Sequence, residues 1–221
     1  MVHHSFSCVP TQSNHGDLCS GCPGGLQKGD IYTHAFHGYP QTIINSETKA
    51  IHPDVLEARQ RGVLFDVGHG QGSFSWTVAE MCGKANFWPD IIGSDLHSGN
   101  CDGPAYDLPT IMSKLLHVGM PLYDVIRATT ITPAKAINRS QEIGTLSVGR
   151  EADITVLKEI PFGHDLEDCQ GQFRKVDKLL VPVAVWRAGI EHPITKPELL
   201  PNKVIMERSA IWDQLVIRDS T

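Results

Sequence analysis

A chain of 221 residues, 41% of them hydrophobic, is long enough to bury a substantial core in one or two domains. Its 19 basic and 25 acidic residues are interleaved and leave a net charge of −6, so no dense basic stripe follows a phosphate backbone and nucleic acid is not an expected partner. No apolar run approaches the roughly 18 residues that cross a bilayer, and the first residues form neither a charged leader nor a cleavable apolar segment, so the expectation is a cytoplasmic chain with no membrane partner.

The chain opens on "MVHH", with His3 and His4 adjacent. "HGDLCSGCPGG" then sets Cys19 and Cys22 at a C-x-x-C spacing near His15, the pattern of half a zinc site or a redox pair. No second C-x-x-C follows, because Cys8, Cys82, Cys101 and Cys169 are scattered, and reduced thiols in a Gly/Pro-rich turn are the weightier reading. "GDIYTHAFHG" predicts a short strand, Ile31 to Thr33, running out into His34 and His37. Pro53 to Arg61 reads as a helix with its proline in the first turn and Gly62 as its stop.

"GVLFDVGHGQG" gives a second strand, Val63 to Val67, ending in Gly68, His69 and Gly70. Ser73 is placed to cap a helix on which Phe74, Val78 and Met81 recur at helical spacing. In "PDIIGSDLHSG" the pair Ile91 and Ile92 fits a third buried strand, and a bare carboxylate inside it would cost about several kcal/mol. Asp95 therefore belongs at the strand's end, where it either opens a turn beside Ser98 and Gly99 or faces a cation. Asp107 caps a third helix, with Pro109 just inside and Leu108, Ile111, Met112, Leu115 and Leu116 as its apolar face. Asp102 and Asp107 read as turn and cap residues rather than catalysts.

Strands alternating with helices imply a parallel sheet, whose chemistry collects at the C-terminal ends of the strands. The histidines and Asp95 fall there. After about residue 138 the texture changes: "GTLSVGREADITVLKE" (Gly144 to Glu159) and "KLLVPVAVWRAG" (Lys178 to Gly189) predict a small all-β unit packed outside the parallel sheet. The remainder, with Pro193, Pro197 and Pro201 and a short helix around Ile211 to Ile217, reads as an arm.

Imidazole and carboxylate at successive strand ends suit Zn²⁺ or another divalent cation on chemistry alone. Taken in order, "MVHH", "GDIYTHAFHG", "GVLFDVGHGQGSFSW", "DIIGSDLHSGNCDGPAYDLPTIMSKLL", "VIRATTITPAKAI" and "EIGTLSVGREADITVL" resemble the metal-dependent amidohydrolase superfamily, in its deacetylase and dihydroorotase-like branch. The resemblance runs from Met1 to about Gly189. It implies a (β/α)8 barrel joined to a small β-sandwich, with two metal ions, usually zinc, sharing a carboxylated lysine and held by a His-x-His pair, two more histidines and an aspartate. It implies that His3 matches the ligand after the fifth strand and His34 the one after the sixth. Asp95 matches the aspartate after the eighth strand, which also takes a proton from the attacking water. His37 and His69 are implied as substrate contacts at the rim. His3 and His4 remain alternatives in register, since neighbouring strand residues face opposite ways.

By the same resemblance the chain starts at the fifth strand, and the His-x-His pair and the lysine have no counterpart in it. The implied fold is α/β, the C-terminal half of a (β/α)8 barrel (1–138), then part of a small β-sandwich (139–190) and a C-terminal arm (191–221). Open strand edges would pair with a second copy or with the missing N-terminal half. Two functions follow. One is hydrolysis of an amide, cyclic amide or ester bond of a small-molecule substrate, with metal-bound hydroxide as nucleophile; the other is a truncated, catalytically inactive fragment or binding protein that keeps the C-terminal half. His34 and Asp95 are expected to converge on one side of the sheet, with His3 near enough to share a cation.

Overall fold

The computed structural model describes residues 25–194. His3, His4, His15, Cys19, Cys22 and the short helix expected near residues 211–217 lie outside the described residues. Within them the fold is a mixed α/β arrangement of five helices and two sheets.

The first sheet is parallel. Strand β1 (Ile31–Tyr32) pairs with β2 (Leu64–Phe65) in the register Ile31 to Leu64 and Tyr32 to Phe65, and a parallel bridge from Asp66 to Ile91 adds a third chain segment. Hydrogen bonds carry the pairing onward, from Val67 N to Ile91 O, His69 N to Gly93 O and Gly70 N to Ser94 O. The regular strands are shorter than the sequence suggests, and a side chain adds to the backbone pairing at their ends: the Asp66 carboxylate accepts from Thr33 Oγ1 at 2.7 Å and from Gly93 N at 2.7 Å. Asp66 thus clamps all three strand ends together.

Between the strands, α1 spans Pro53–Arg61, as its proline start and glycine stop predict; Gly62 adopts φ 94°, a left-handed cap that suits glycine. The next helix, α2 (Trp76–Lys84), begins later than its expected Ser73 cap. Its N-cap is Ser75, whose side chain makes no capping bond; instead the distant Asp168 carboxylate accepts from Trp76 N at 2.9 Å. No local pattern could reveal a cap supplied from 92 positions away. Helix α3 (Leu108–His117) is capped as predicted, with Asp107 accepting from Thr110 N, and Ile111, Met112 and Leu115 are buried. Two short helices follow, α4 (Leu122–Thr129) and α5 (Ile131–Ala136).

The second sheet is antiparallel: β3 (Ile154–Glu167), β4 (Phe173–Arg187) and β5 (Ile190–His192). Ile154 to Leu157 is strand and stands outside the parallel sheet, as expected, but Gly144 to Asp153 forms no strand. Gly144 and Gly149 both take positive φ there, and Leu146 and Val148 are exposed, so that segment turns through solvent instead of pairing. The hairpin is longer than the sequence implies. Pro161 and Gly163, which look like strand breakers, sit at a β-bulge between Pro161 and His164, where a missing ladder bond costs little.

The inner half of this hairpin joins the main core. Leu166, Val176, Leu179 and Leu180 are buried in the same cluster as Phe65, Phe74, Trp76, Ile111 and Leu115. Ser113 on α3 accepts from Leu180 N at 2.8 Å, and Trp76 Nε1 donates to Leu166 O at 3.0 Å. The hairpin is therefore built into the α/β body, and its tip reaches the strand-end loops.

Candidate functional site at the strand ends

The C-terminal ends of the three parallel segments carry His34, the Gly68–Gly70 loop and Asp95, in that spatial order. His34 and Asp95 both hold left-handed backbone, φ 59° and 45°. Residues with a Cβ are uncommon there, and such strain concentrates at functional positions. Gly68 and Gly70 lie between them, also at positive φ, 44° and 51°. A Cβ on Gly68 would stand 2.8 Å from His34 Nδ1, and one on Gly70 would stand 2.6 Å from Asp95 Oδ2, so only glycine lets the two side chains approach this loop.

His34 is half-buried, and its Nδ1 lies 2.6 Å from Gly68 O. The carbonyl can only accept, so Nδ1 carries a proton, and in the neutral ring the lone pair is left on Nε2; this is how a metal-binding imidazole is commonly held. Asp95 is exposed. The turn that follows it is built by buried Asn100, whose Nδ2 donates to Asp95 O at 2.9 Å and whose Oδ1 accepts from His97 N at 2.9 Å. The turn does not employ the Asp95 carboxylate, which lies beside Gly70.

His37, expected at the rim, is instead buried, 3% exposed. Burial first, and the neighbouring His34 second, hold its pKa down to about 4, so the ring is neutral at pH 7. Its Nδ1 accepts from Tyr39 N at 3.2 Å, which assigns the proton to Nε2, a buried donor with no hydrogen-bond partner among the described residues.

His69 departs from expectation. It is fully buried rather than at a rim, stacked on Phe74 with ring centroids 4.8 Å apart, and both nitrogens are engaged: Nδ1 with Gly70 O at 3.0 Å and Nε2 with Lys114 Nζ at 3.0 Å. Desolvation, then the Lys114 charge, keeps its pKa well below the usual imidazole value. It supports the loop from inside and has no face to offer a substrate. Lys114, itself buried, has its pKa lowered to about 8 by desolvation.

Sequence reasoning thus located His34, His37 and Asp95 at strand ends and missed Asp66, Lys114 and Asp168. Asp66 was open to the same rule that singled out Asp95, a polar residue closing an apolar run in "LFDVGHG". Lys114 carried no signal, because a lysine on an amphipathic helix normally faces water. The donor types suit a divalent metal, with His34 Nε2 and the Asp95 carboxylate as nitrogen and oxygen ligands. Among the described residues, however, no group of three or more His, Cys, Asp or Glu side chains could hold a metal ion. A third ligand, His3 by resemblance, lies outside them. No helix among the described residues is long and apolar enough to cross a membrane.

The sequence and the fold both have counterparts among known proteins. The sequence profile of the Amidohydrolase family matches residues 77–190, just over half of the chain. A deacetylase of Brucella anthropi is 36% identical over 161 residues, which cover 71% of this chain and 39% of that protein. The crystal structure of an adenine deaminase superposes with a TM-score of 0.74 at 32% identity, covering 76% of this chain and 46% of that one. That of a dihydroorotase superposes with a TM-score of 0.67, also at 32% identity, covering 77% and 45%. The chain thus spans less than half the length of each of these relatives. On the family profile over more than half of its length and on the identity with these relatives, the chain belongs to the amidohydrolase family.

Proposed function

We propose that this chain is the C-terminal part of a deacetylase-like or dihydroorotase-like hydrolase, cutting the C–N bond of a small amide or cyclic amide, or an ester bond. In this reading residues 1–138 supply the C-terminal half of a (β/α)8 barrel, 139–190 part of a small β-sandwich and 191–221 an arm. The observation that supports it is the pairing of His34 and Asp95, each in strained backbone, on either side of one glycine loop.

His34 Nε2, with His3 from the first residues, would hold zinc or another divalent ion beside Asp95. When bound, that ion supplies a Lewis acid and lowers the pKa of water. The Asp95 carboxylate accepts the proton of the attacking water and returns it to the leaving group. His37 Nε2, a neutral donor, is suited to an acceptor oxygen of the substrate. The open edge of β1 is covered by the preceding half of the barrel or by a second copy.

The test is an assay on N-acetyl amino acids and dihydroorotate, with zinc content measured after dialysis, on this chain and on a version extended upstream by the missing strands. The expected result is weak zinc binding and little turnover for the 221 residues alone, and turnover in the extended version that Asp95→Asn lowers by about 10²–10⁴-fold. Turnover indifferent to Asp95→Asn would refute the assignment. The second reading, a non-catalytic binding protein, is favoured by the lack of a three-ligand group among the described residues; an extended version that folds, takes up no metal and turns over neither substrate would establish it.

A further inference from the structure

Lys114 sits on α3 with 0% of its surface exposed, and its ammonium meets three acceptors from three separate parts of the fold. Nζ donates to Pro104 O at 2.8 Å, in the loop that follows Asp95, and to Glu167 O at 2.6 Å, the last residue of β3. His69 Nε2, at 3.0 Å, is the third. An ammonium has three protons, and each has one acceptor here.

The network continues beyond the lysine. With Nε2 accepting from Lys114, His69 must carry its proton on Nδ1, which donates to Gly70 O at 3.0 Å. Gly70 faces Asp95, and two residues earlier Gly68 O takes the proton of His34 Nδ1. Lys114 therefore stands at one end of a path that runs through the Gly68–Gly70 loop to His34, with Asp95 set beside Gly70. The rings of Phe74 and Trp76, 5.3 and 5.7 Å from Nζ, close the apolar side of the cluster, and the Cys169 thiol lies 3.9 Å from His69 Nδ1. If Lys114 merely filled space, an apolar side chain of similar volume would serve as well or better, since a buried charge is costly.

We propose, resting on the reading of His34 as a ligand, that Lys114 is a positioning residue: through His69 it sets the Gly68–Gly70 loop and thereby fixes the tautomer in which His34 presents its Nε2 lone pair. The same contact to Glu167 O makes the β3–β4 hairpin part of the scaffold of the site.

The experiment is Lys114→Met in the 221-residue chain, read by ¹⁵N-resolved NMR of the imidazole nitrogens, with His34→Gln used to assign the His34 signals. In the unsubstituted chain His34 is expected as a single tautomer, protonated on Nδ1. In folded Lys114→Met it is expected to average between tautomers, while His164 and His192, on the hairpin and its neighbouring strand, keep their signals. Zinc affinity is expected to fall about 10–100-fold, as for loss of an outer partner of a ligand. A folded Lys114→Met chain whose His34 tautomer is unchanged overturns the proposal. If Lys114→Met does not fold, Lys114→Met with His69→Phe removes both partners together and leaves an apolar pair against Phe74; an unchanged His34 tautomer there overturns it equally. Titrating zinc into the unsubstituted chain separates the two readings, because a His34 signal indifferent to zinc defeats the ligand assignment and leaves the tautomer result standing.

Discussion

Replacing Asp168 by alanine is expected to destabilise the chain by about 3–5 kcal/mol. The residue is 3% exposed and its carboxylate accepts three backbone N–H bonds: Gln170 N at 2.7 Å and Gln172 N at 2.8 Å on Oδ1, and Trp76 N at 2.9 Å on Oδ2. Two of these close the hairpin turn and the third caps α2, so one side chain joins two elements distant in sequence. Alanine would leave the three donors without their acceptor, each at about 1–3 kcal/mol when buried. It would also take a negative neighbour from buried Lys114. Asp168→Asn keeps one oxygen for the turn but presents an amide N–H to Trp76 N, and is expected to lose roughly half as much. Urea unfolding of the two variants measures both, and an alanine variant within about 0.5 kcal/mol of the parent would contradict the role.

The same residue shows why part of this fold was illegible in the sequence. Elements whose causes are local were read correctly: α1 from Pro53 and Gly62, α3 from Asp107 and its apolar face, and the centres of the first two strands at Ile31–Tyr32 and Leu64–Phe65, whereas the third expected strand is a single bridge at Ile91. Elements whose causes are remote were not. The start of α2 depends on Asp168, and the length of the hairpin depends on a bulge that tolerates Pro161 and Gly163 in a paired strand. His69 illustrates the equivalent error in the site. Its neighbours Gly68 and Gly70 and its place after a strand are those of a ligand-facing residue, yet the ring turns inward because Lys114, 45 positions on, offers a buried donor. His34 and Asp95 were legible because their position follows from strand polarity alone.

Acidification is expected to destabilise the chain well above the pH at which ordinary carboxylates titrate. His37 has its pKa lowered from 6.5 to about 4 in the folded protein, chiefly by burial. Between those values the unfolded chain binds the proton and the folded one does not, so stability is fully present above 6.5 and falls as pH drops toward 4. At 1.36 kcal/mol per pH step across that gap, His37 alone accounts for a loss of about 3 kcal/mol by pH 4. His69 is displaced in the same direction, and its protonation would set a second positive charge 3.0 Å from Lys114 Nζ, adding to the loss. Urea midpoints taken at half-unit steps from pH 7.5 to 4 should therefore decline steadily from about pH 6.5. His37→Gln, which offers a neutral amide at every pH, should flatten part of the slope while costing some stability at neutral pH through looser packing beside Tyr39. His69→Phe should remove the remaining histidine contribution while leaving Lys114 one acceptor short. A profile flat down to pH 4.5 in the unsubstituted chain would show that neither imidazole is held neutral by the fold.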